Sequence, residues 1–575
     1  MIEKSFLYWL KFVIMATWND LAELMFPDVK ETIVDLRNKF PERSGVCTRF
    51  APSPTGYLHI GSLFACFTAW RFAKQNNWTF ILRIEDTDQK RLIEWWVEFL
   101  INALKNFGIS FDEWNLWENC SDIWEYGPYT QSQRWYYYRV FAKALVAKWL
   151  AYPCWMTTEE IEKIRSQQEL AKIMPWIYGN YSIYRNKTVD ELVEMVKQNP
   201  DYIVRFRSHG DANKKIVFED ILRWKVSMWD NYNDIVLLKS DWLPTYHLAH
   251  ITDDTLMKVT HIIRAEEWLT SVPLHLQLFQ AFDLPAPKYC HLAQILKVDE
   301  ETGKKRKISK RKDPEANVEY LLENGFAVHG ILDYLYTIMD SWFEEWQKEN
   351  LDKTFLDREF ALENMNKSWA LIDLVKMEQI NNAYLSRIST DQLLKEWLVR
   401  AEKYDTDLAD LIKSDMDYVR NALNIERHTE KDPKRFYTFK DIDTQLRFFF
   451  DSEWEKLVKN TELRVKSEDG KINWFGDFDM HVMKDFIWEY LNVLDFNMST
   501  EEWFEQLKQI WKKYGFAANN AEFKEWWYIW KVWDLAMFLR LALCASKRTP
   551  DLFSVMKVMW KERVENRLKE IIRME

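Results

Sequence analysis

Thr48-Arg49-Phe50-Ala51-Pro52-Ser53-Pro54-Thr55-Gly56-Tyr57-Leu58-His59-Ile60-Gly61 decides the fold. Its first residues, within VCTRFA, read as a strand, PSPTG as a turn, and 62–74 as a helix. NNWT then turns the chain and FILRIED forms a second strand. Strand–loop–helix–strand is a βαβ unit, which implies a parallel sheet covered by helices. The helix N-terminus offers unpaired N–H groups and partial positive charge, which favour a phosphate. Gly61 allows close approach of the backbone, and His59 adds a donor at the same end.

Outward from this unit, 16–43 reads as short helices and a lead-in, and 137–164 as helical. Strand character recurs in YIVRFRS, KKIVFED, DIVLLKS (234–240) and MKVTHIIRA (257–265). Beyond about Asp313 the pattern is almost entirely helical to the end. An α/β half followed by a helical half is the expected architecture.

Two further clusters carry chemistry. A flexible basic loop at 304–312, KKRKISKRK, can close on charge that builds on a transferring phosphoryl group. The carboxylates of LRIEDTD (82–88) end a strand, where they suit an ammonium group or Mg²⁺. Each cluster alone is equally readable as a turn, a solvated charge run or a strand end.

Together they resemble the class I aminoacyl-tRNA synthetases. HIGS (59–62) stands for the HIGH motif and Lys307-Ile308-Ser309-Lys310-Arg311 for KMSKS. The longer strings TRFAPSPTGYLHIG and LRIEDTD are similar to the bacterial glutamyl enzymes. So are YGPYTQSQR (126–134), LAYPC (150–154), LLKSD (237–241), LPTYHLAHITDD (243–254), THIIRAEEW (260–268) and ISKRKDPEA (308–316). Glutaminyl enzymes usually carry a PPEP-type string in place of APSP. A short paralogue that glutamylates a modified tRNA base lacks the region beyond about residue 400. A non-catalytic RNA-binding relative would not need His59, Lys310, Arg49 and Glu85 together.

The resemblance implies a Rossmann-type catalytic domain with an inserted α+β acceptor-binding domain, followed by an all-α C-terminal half. The expected boundaries are an N-terminal extension over 1–43, the catalytic domain over 44–150 and 229–315, and the insertion over 151–228. A stem-contact helical region spans 316–400 and an anticodon-binding domain 401–575. The implied reaction activates L-glutamate with ATP and Mg²⁺ and transfers it to tRNA-Glu, with tRNA-Gln as an alternative acceptor that would call for an amidotransferase downstream. His59, Lys307 and Lys310 are the implied catalytic residues, and ATP falls to His59, Gly61, Ser62, Lys307, Ser309 and Lys310. Glutamate falls to Arg49, Ala51, Ser53, Glu85, Tyr246, His250 and Arg264, with His250 where some members carry asparagine. Cys154 matches the first ligand of a zinc site found in some members, but Met156 stands where the second would be, so no metal site is expected.

Composition agrees with a soluble multidomain protein: 575 residues, 47% hydrophobic and 29% charged. The net charge of −11 argues mildly against a nucleic-acid binder, yet phosphate contacts come from local patches. The six cysteines show no C-x-x-C spacing, which fits a reducing cytosol. No membrane span is expected, the implied location is cytoplasmic and the implied state monomeric. The apolar start MIEKSFLYWLKFVI is interrupted by Lys11 and lacks a small-residue cleavage site, so Met15 rather than Met1 is read as the true start.

One count is anomalous: 31 tryptophans against 13 glycines, where average usage of about 7% glycine predicts roughly 40. Trp149, Trp78 and Trp242 lie where turns want glycine, and Trp95, Trp96, Trp114, Trp124, Trp176, Trp224, Trp369, Trp530, Trp533 and Trp560 look similar. Trp268 and Trp346 match ordinary tryptophans of the family. The reading is that the gene uses UGA for glycine and these positions are glycine in the natural protein.

Overall fold

The computed structural model describes residues 16–54, 56–93, 95–114, 125–309, 311–429, 434–459, 465–466, 472–473, 480–517, 522–524 and 530–573. Lys310, Cys120 and Trp124 lie outside them, as does the Met1–Met15 start. The chain divides into two compact units, 1–319 with 335–372, and 320–334 with 373–575.

In the first unit, strand β1 (Cys47–Phe50) pairs in parallel with β2 (Thr79–Leu82), and the connecting helix Ile60–Gln75 completes the expected βαβ unit. All four residues of β1 are buried, as a strand covered on both faces requires. Strand β3 (Ala151–Cys154), β4 (Ile203–Phe206) and β7 (Val236–Leu238) form a separate antiparallel sheet in the order β3-β4-β7. The other sheet runs β6 (Trp224–Trp229), β5 (Lys215–Asp220), β9 (Lys288–Leu292), β8 (His261–Ala265). Its β5–β9 and β8–β9 pairs are parallel and the β5–β6 hairpin antiparallel. Thr260 N–H donates to the Cys47 carbonyl at 3.0 Å, and Cys47 N–H to Thr260 Oγ1 at 2.9 Å, which sets the entry of β8 beside β1.

Several expected elements are corrected. The helical reading of 137–164 is cut by β3, because Trp149 reverses the chain after helix Trp135–Ala147. The strand expected at 257–265 begins only at His261, since Met257 still caps helix Tyr246–Leu256. The loop expected to be flexible at 304–312 starts as a strand, β11 (Lys305–Lys307), antiparallel to β10 (Ile295–Val298). A two-residue strand, Ala370–Leu371, pairs with β10 on its other side, within the region expected to be helical.

The second unit is helical, with helices from Leu374–Arg387 to Leu552–Arg573 and short two-residue strands. Helix Thr390–Tyr404 shows why. Ser389 accepts from Gln392 N–H as its cap, and Leu393, Leu394, Trp397, Arg400 and Ala401 fall on one buried stripe. Trp397 and Trp454 are fully buried, and their indole N–H groups donate to Asp443 at 2.7 Å and to the Ala542 carbonyl at 3.1 Å.

Among the described residues, four suspect tryptophans have left-handed backbone: Trp149 (φ 62°), Trp224 (φ 67°), Trp242 (φ 62°) and Trp560 (φ 65°). This region penalises a Cβ and favours glycine. Trp78 does not share it; Asn77 (φ 53°) takes the left-handed position in that turn. No helix among the described residues is long and apolar enough to cross a membrane.

Candidate active site

A cavity of about 600 Å³ opens at the C-terminal ends of β1 and β8. It brings together Arg49, Ala51, Ser53, His59, Gly61, Ser62, Glu85, Tyr246, Arg264, Lys307 and Ser309, which the sequence draws from five separate segments. His250 does not line it, and Lys310 lies outside the described residues.

At one end, His59 is the N-cap of helix Ile60–Gln75, and its Nδ1 accepts from Gly61 N–H at 2.9 Å. A Cβ on Gly61 would stand 3.1 Å from that nitrogen, so a side chain there would press on the cap. The first turn carries no acidic residue, which leaves the helix dipole open to an anion. Facing it, Lys307 is ion-paired with Glu267. The turn after β11 is stapled by Asp313, which accepts Ser309 N–H at 2.8 Å and both Nη groups of Arg306 at 2.6 and 2.7 Å. Asp313 is buried, and the Arg306 guanidinium holds its carboxyl well below the usual range.

At the other end, two arginines are each fixed through Nε. Arg49 Nε donates to Asp254 at 3.3 Å. Arg264 Nε donates to His291 Nε2 at 3.0 Å, while its Nη1 donates to the Tyr246 hydroxyl at 2.9 Å. Glu85 accepts from Arg83 Nη2 at 3.2 Å, and Arg83 Nη1 donates to Asp254 at 2.5 Å. Burial raises the Glu85 carboxyl above its ordinary range against the pull of Arg83 and Arg49. Burial alone would also raise Asp254, but Arg49, Arg83 and His250 outweigh it and hold it well below the carboxylate range. Burial pushes the His250 ring down to about 3; its Nδ1 lies 2.8 Å from Asp254 Oδ2, and the ring stacks behind Tyr246 at 5.6 Å.

Arg83, Asp254, His291 and Asp220 escaped the sequence reading, although all but His291 stand inside quoted strings. A signal existed: Tyr246, His250 and Asp254 repeat at four-residue spacing on one helix, so polar residues share its buried face. Cys154 is likewise buried, and burial raises its thiol. Among the described residues no group of three His, Cys, Asp or Glu is placed to hold a metal ion.

Residues 45–382 match the model of the catalytic domain of class I tRNA synthetases (E and Q). The chain belongs to this family. Its curated relatives include the glutamate–tRNA ligases of Clostridium perfringens (strain SM101 / Type A), 37% identical over 97% of this chain and all of the relative, and of Acetivibrio thermocellus, 36% identical over 96% and 100%. A crystal structure of a glutamate tRNA ligase from Elizabethkingia meningosepticum, in complex with its amino acid, is 26% identical with a TM-score of 0.64, over 92% of this chain and 99% of that one. The fold is that of the class I enzymes.

Proposed function

We propose that the enzyme activates L-glutamate with ATP in this cavity and transfers the glutamyl group to the 3′ end of tRNA-Glu. The observation that carries the reading is the juxtaposition, in one cavity, of an anion-seeking end and an amino-acid end. The His59 cap, Gly61, Ser62, Lys307 and Ser309 take the ATP phosphates, with Lys310 of the same motif. The glutamate ammonium pairs with Glu85, and its carboxylates with Arg49 and Arg264, whose planar forks can bind them bidentately. Ala51, Ser53 and Tyr246 form the walls, and His250 supports Tyr246 from behind.

The α-carboxylate oxygen attacks the α-phosphorus, and the bond to the bridging oxygen breaks to release pyrophosphate. A terminal ribose hydroxyl of tRNA then attacks the acyl carbon and AMP leaves. Positioning and charge neutralisation supply the rate, because little covalent work falls to the protein. Magnesium enters as part of the nucleotide substrate, held by phosphates rather than by a cage of side chains.

We read 44–150 and 229–315 as the catalytic domain and 151–228 as the acceptor-binding insertion. In the same reading 316–400 contacts the stem, 401–575 binds the anticodon, and 1–43 is a lead-in. The working state is a cytoplasmic monomer. The test is ATP-dependent charging with labelled glutamate. Charging of tRNA-Glu alone supports this reading, and charging of tRNA-Gln as well would add an amidotransferase to the partners. Failure to charge either by a folded chain would overturn it.

A further inference from the structure

Asp220 and His291 do not line the cavity, but His291 holds Arg264, which does. Asp220 closes β5 and His291 lies in β9, strands that pair in parallel at Asp220 and Tyr289. Both residues are buried. One Asp220 oxygen accepts the main-chain N–H groups of Leu222 and Arg223 at 3.1 and 3.0 Å, so the turn fixes the carboxylate. The other accepts His291 main-chain N–H at 3.0 Å and lies 2.7 Å from His291 Nδ1. On the far side of the ring, Nε2 receives Arg264 Nε–H at 3.0 Å.

The protonation of this chain follows from its two ends. An arginine Nε–H can only donate, so His291 Nε2 is the bare nitrogen. The ring proton therefore sits on Nδ1 and is donated to Asp220. Burial pushes the His291 ring down to about 4, which keeps it neutral and Nε2 an acceptor at neutral pH.

We propose that Asp220 and His291 are positioning residues for glutamate, which fix the tautomer of His291 and through it the plane of Arg264. This rests on the reading of Arg264 as a carboxylate-binding arginine. With Nε tied down, the guanidinium cannot rotate about its long axis, and its Nη edge stays beside Tyr246 and Trp268 at the cavity wall. The contrast with Arg49 gives the arrangement its purpose. Asp254 sits directly on Arg49 Nε and offsets its charge. Behind Arg264 a neutral ring is interposed and the carboxylate stands one ring farther away, so more of its positive field is left for the substrate.

The test is steady-state charging by the full chain, with glutamate and ATP varied separately. His291→Leu and Asp220→Asn each raise the KM for glutamate about tenfold or more, while the KM for ATP stays within about twofold. In Asp220→Asn the amide N–H groups face Nδ1–H and turn the ring the wrong way. His291→Gln, whose amide oxygen can accept from Arg264 Nε without help, recovers most of the loss, and adding Asp220→Asn to it changes little. If Asp220→Asn fails to fold because its turn is lost, His291→Leu and His291→Gln decide. Equal rises in both KM values, or an unchanged KM for glutamate in folded His291→Leu, would overturn the proposal. Arg264→Gln separates the two levels: if it too leaves the KM for glutamate unchanged, the reading of Arg264 itself falls.

Discussion

Asp254 is buried, yet a single change there reaches two arginines of the amino-acid end. Two guanidinium groups, Arg49 and Arg83, point at it inside the unit, and it balances them. Asp254→Asn strands that positive charge, and thermal or denaturant unfolding should show a loss of roughly 3–5 kcal/mol. The pH dependence has a definite sign. Because Asp254 titrates lower folded than unfolded, its contribution is fully present above its unfolded pKa of about 3.9 and fades as pH falls below that. The stability gap between wild type and Asp254→Asn should therefore be constant near neutrality and shrink as the medium is acidified below that range. A gap that widened on acidification would contradict the network. Glu85 makes the complementary case, because burial raises its carboxyl and only a bound ammonium restores the full benefit of ionisation. Glu85→Gln should raise the KM for glutamate by about tenfold or more, with a smaller effect on ATP, in the same charging assay.

Elements show where the sequence was readable and where it was not. The βαβ unit was legible because strand period, turn residues and helix length agree locally. The β3 strand was not, since Ala151–Cys154 is only four residues long and follows a helical run from which only the backbone reversal at Trp149 separates it. Site residues inside recognised strings were legible by type, whereas Asp220 and His291 were not. Their roles arise from the pairing of β5 with β9, which joins residues 71 positions apart. The tryptophans divide on the same physical ground. Trp397 is fully buried with its N–H satisfied, and Trp397→Ala should cost roughly 3–5 kcal/mol. Trp224 and Trp560 are 74% and 69% exposed and left-handed, so glycine there should stabilise by about 1 kcal/mol. At Trp149 and Trp242 the gain is offset by ring contacts, with Arg207 4.4 Å above one and Arg139 5.0 Å above the other. Peptide mass spectrometry of the natural protein should find glycine at 149, 224, 242 and 560; tryptophan at these sites would refute the recoding.

For the whole molecule, net charge works against the proposed partner. A chain of −11 must meet the tRNA backbone through local basic patches, so the KM for tRNA should rise steeply with added salt while that for glutamate barely moves. A salt-independent KM for tRNA would argue against phosphate contacts as the source of affinity. The central claim is that one cavity in the first unit reads glutamate by charge at both ends. The most direct measurement is a crystal structure of the full chain, with glycine at the four left-handed tryptophans, bound to L-glutamate. The account predicts the ammonium on Glu85 and the carboxylates on Arg49 and Arg264. Glutamate bound elsewhere, or its ammonium turned toward Arg264, would contradict it.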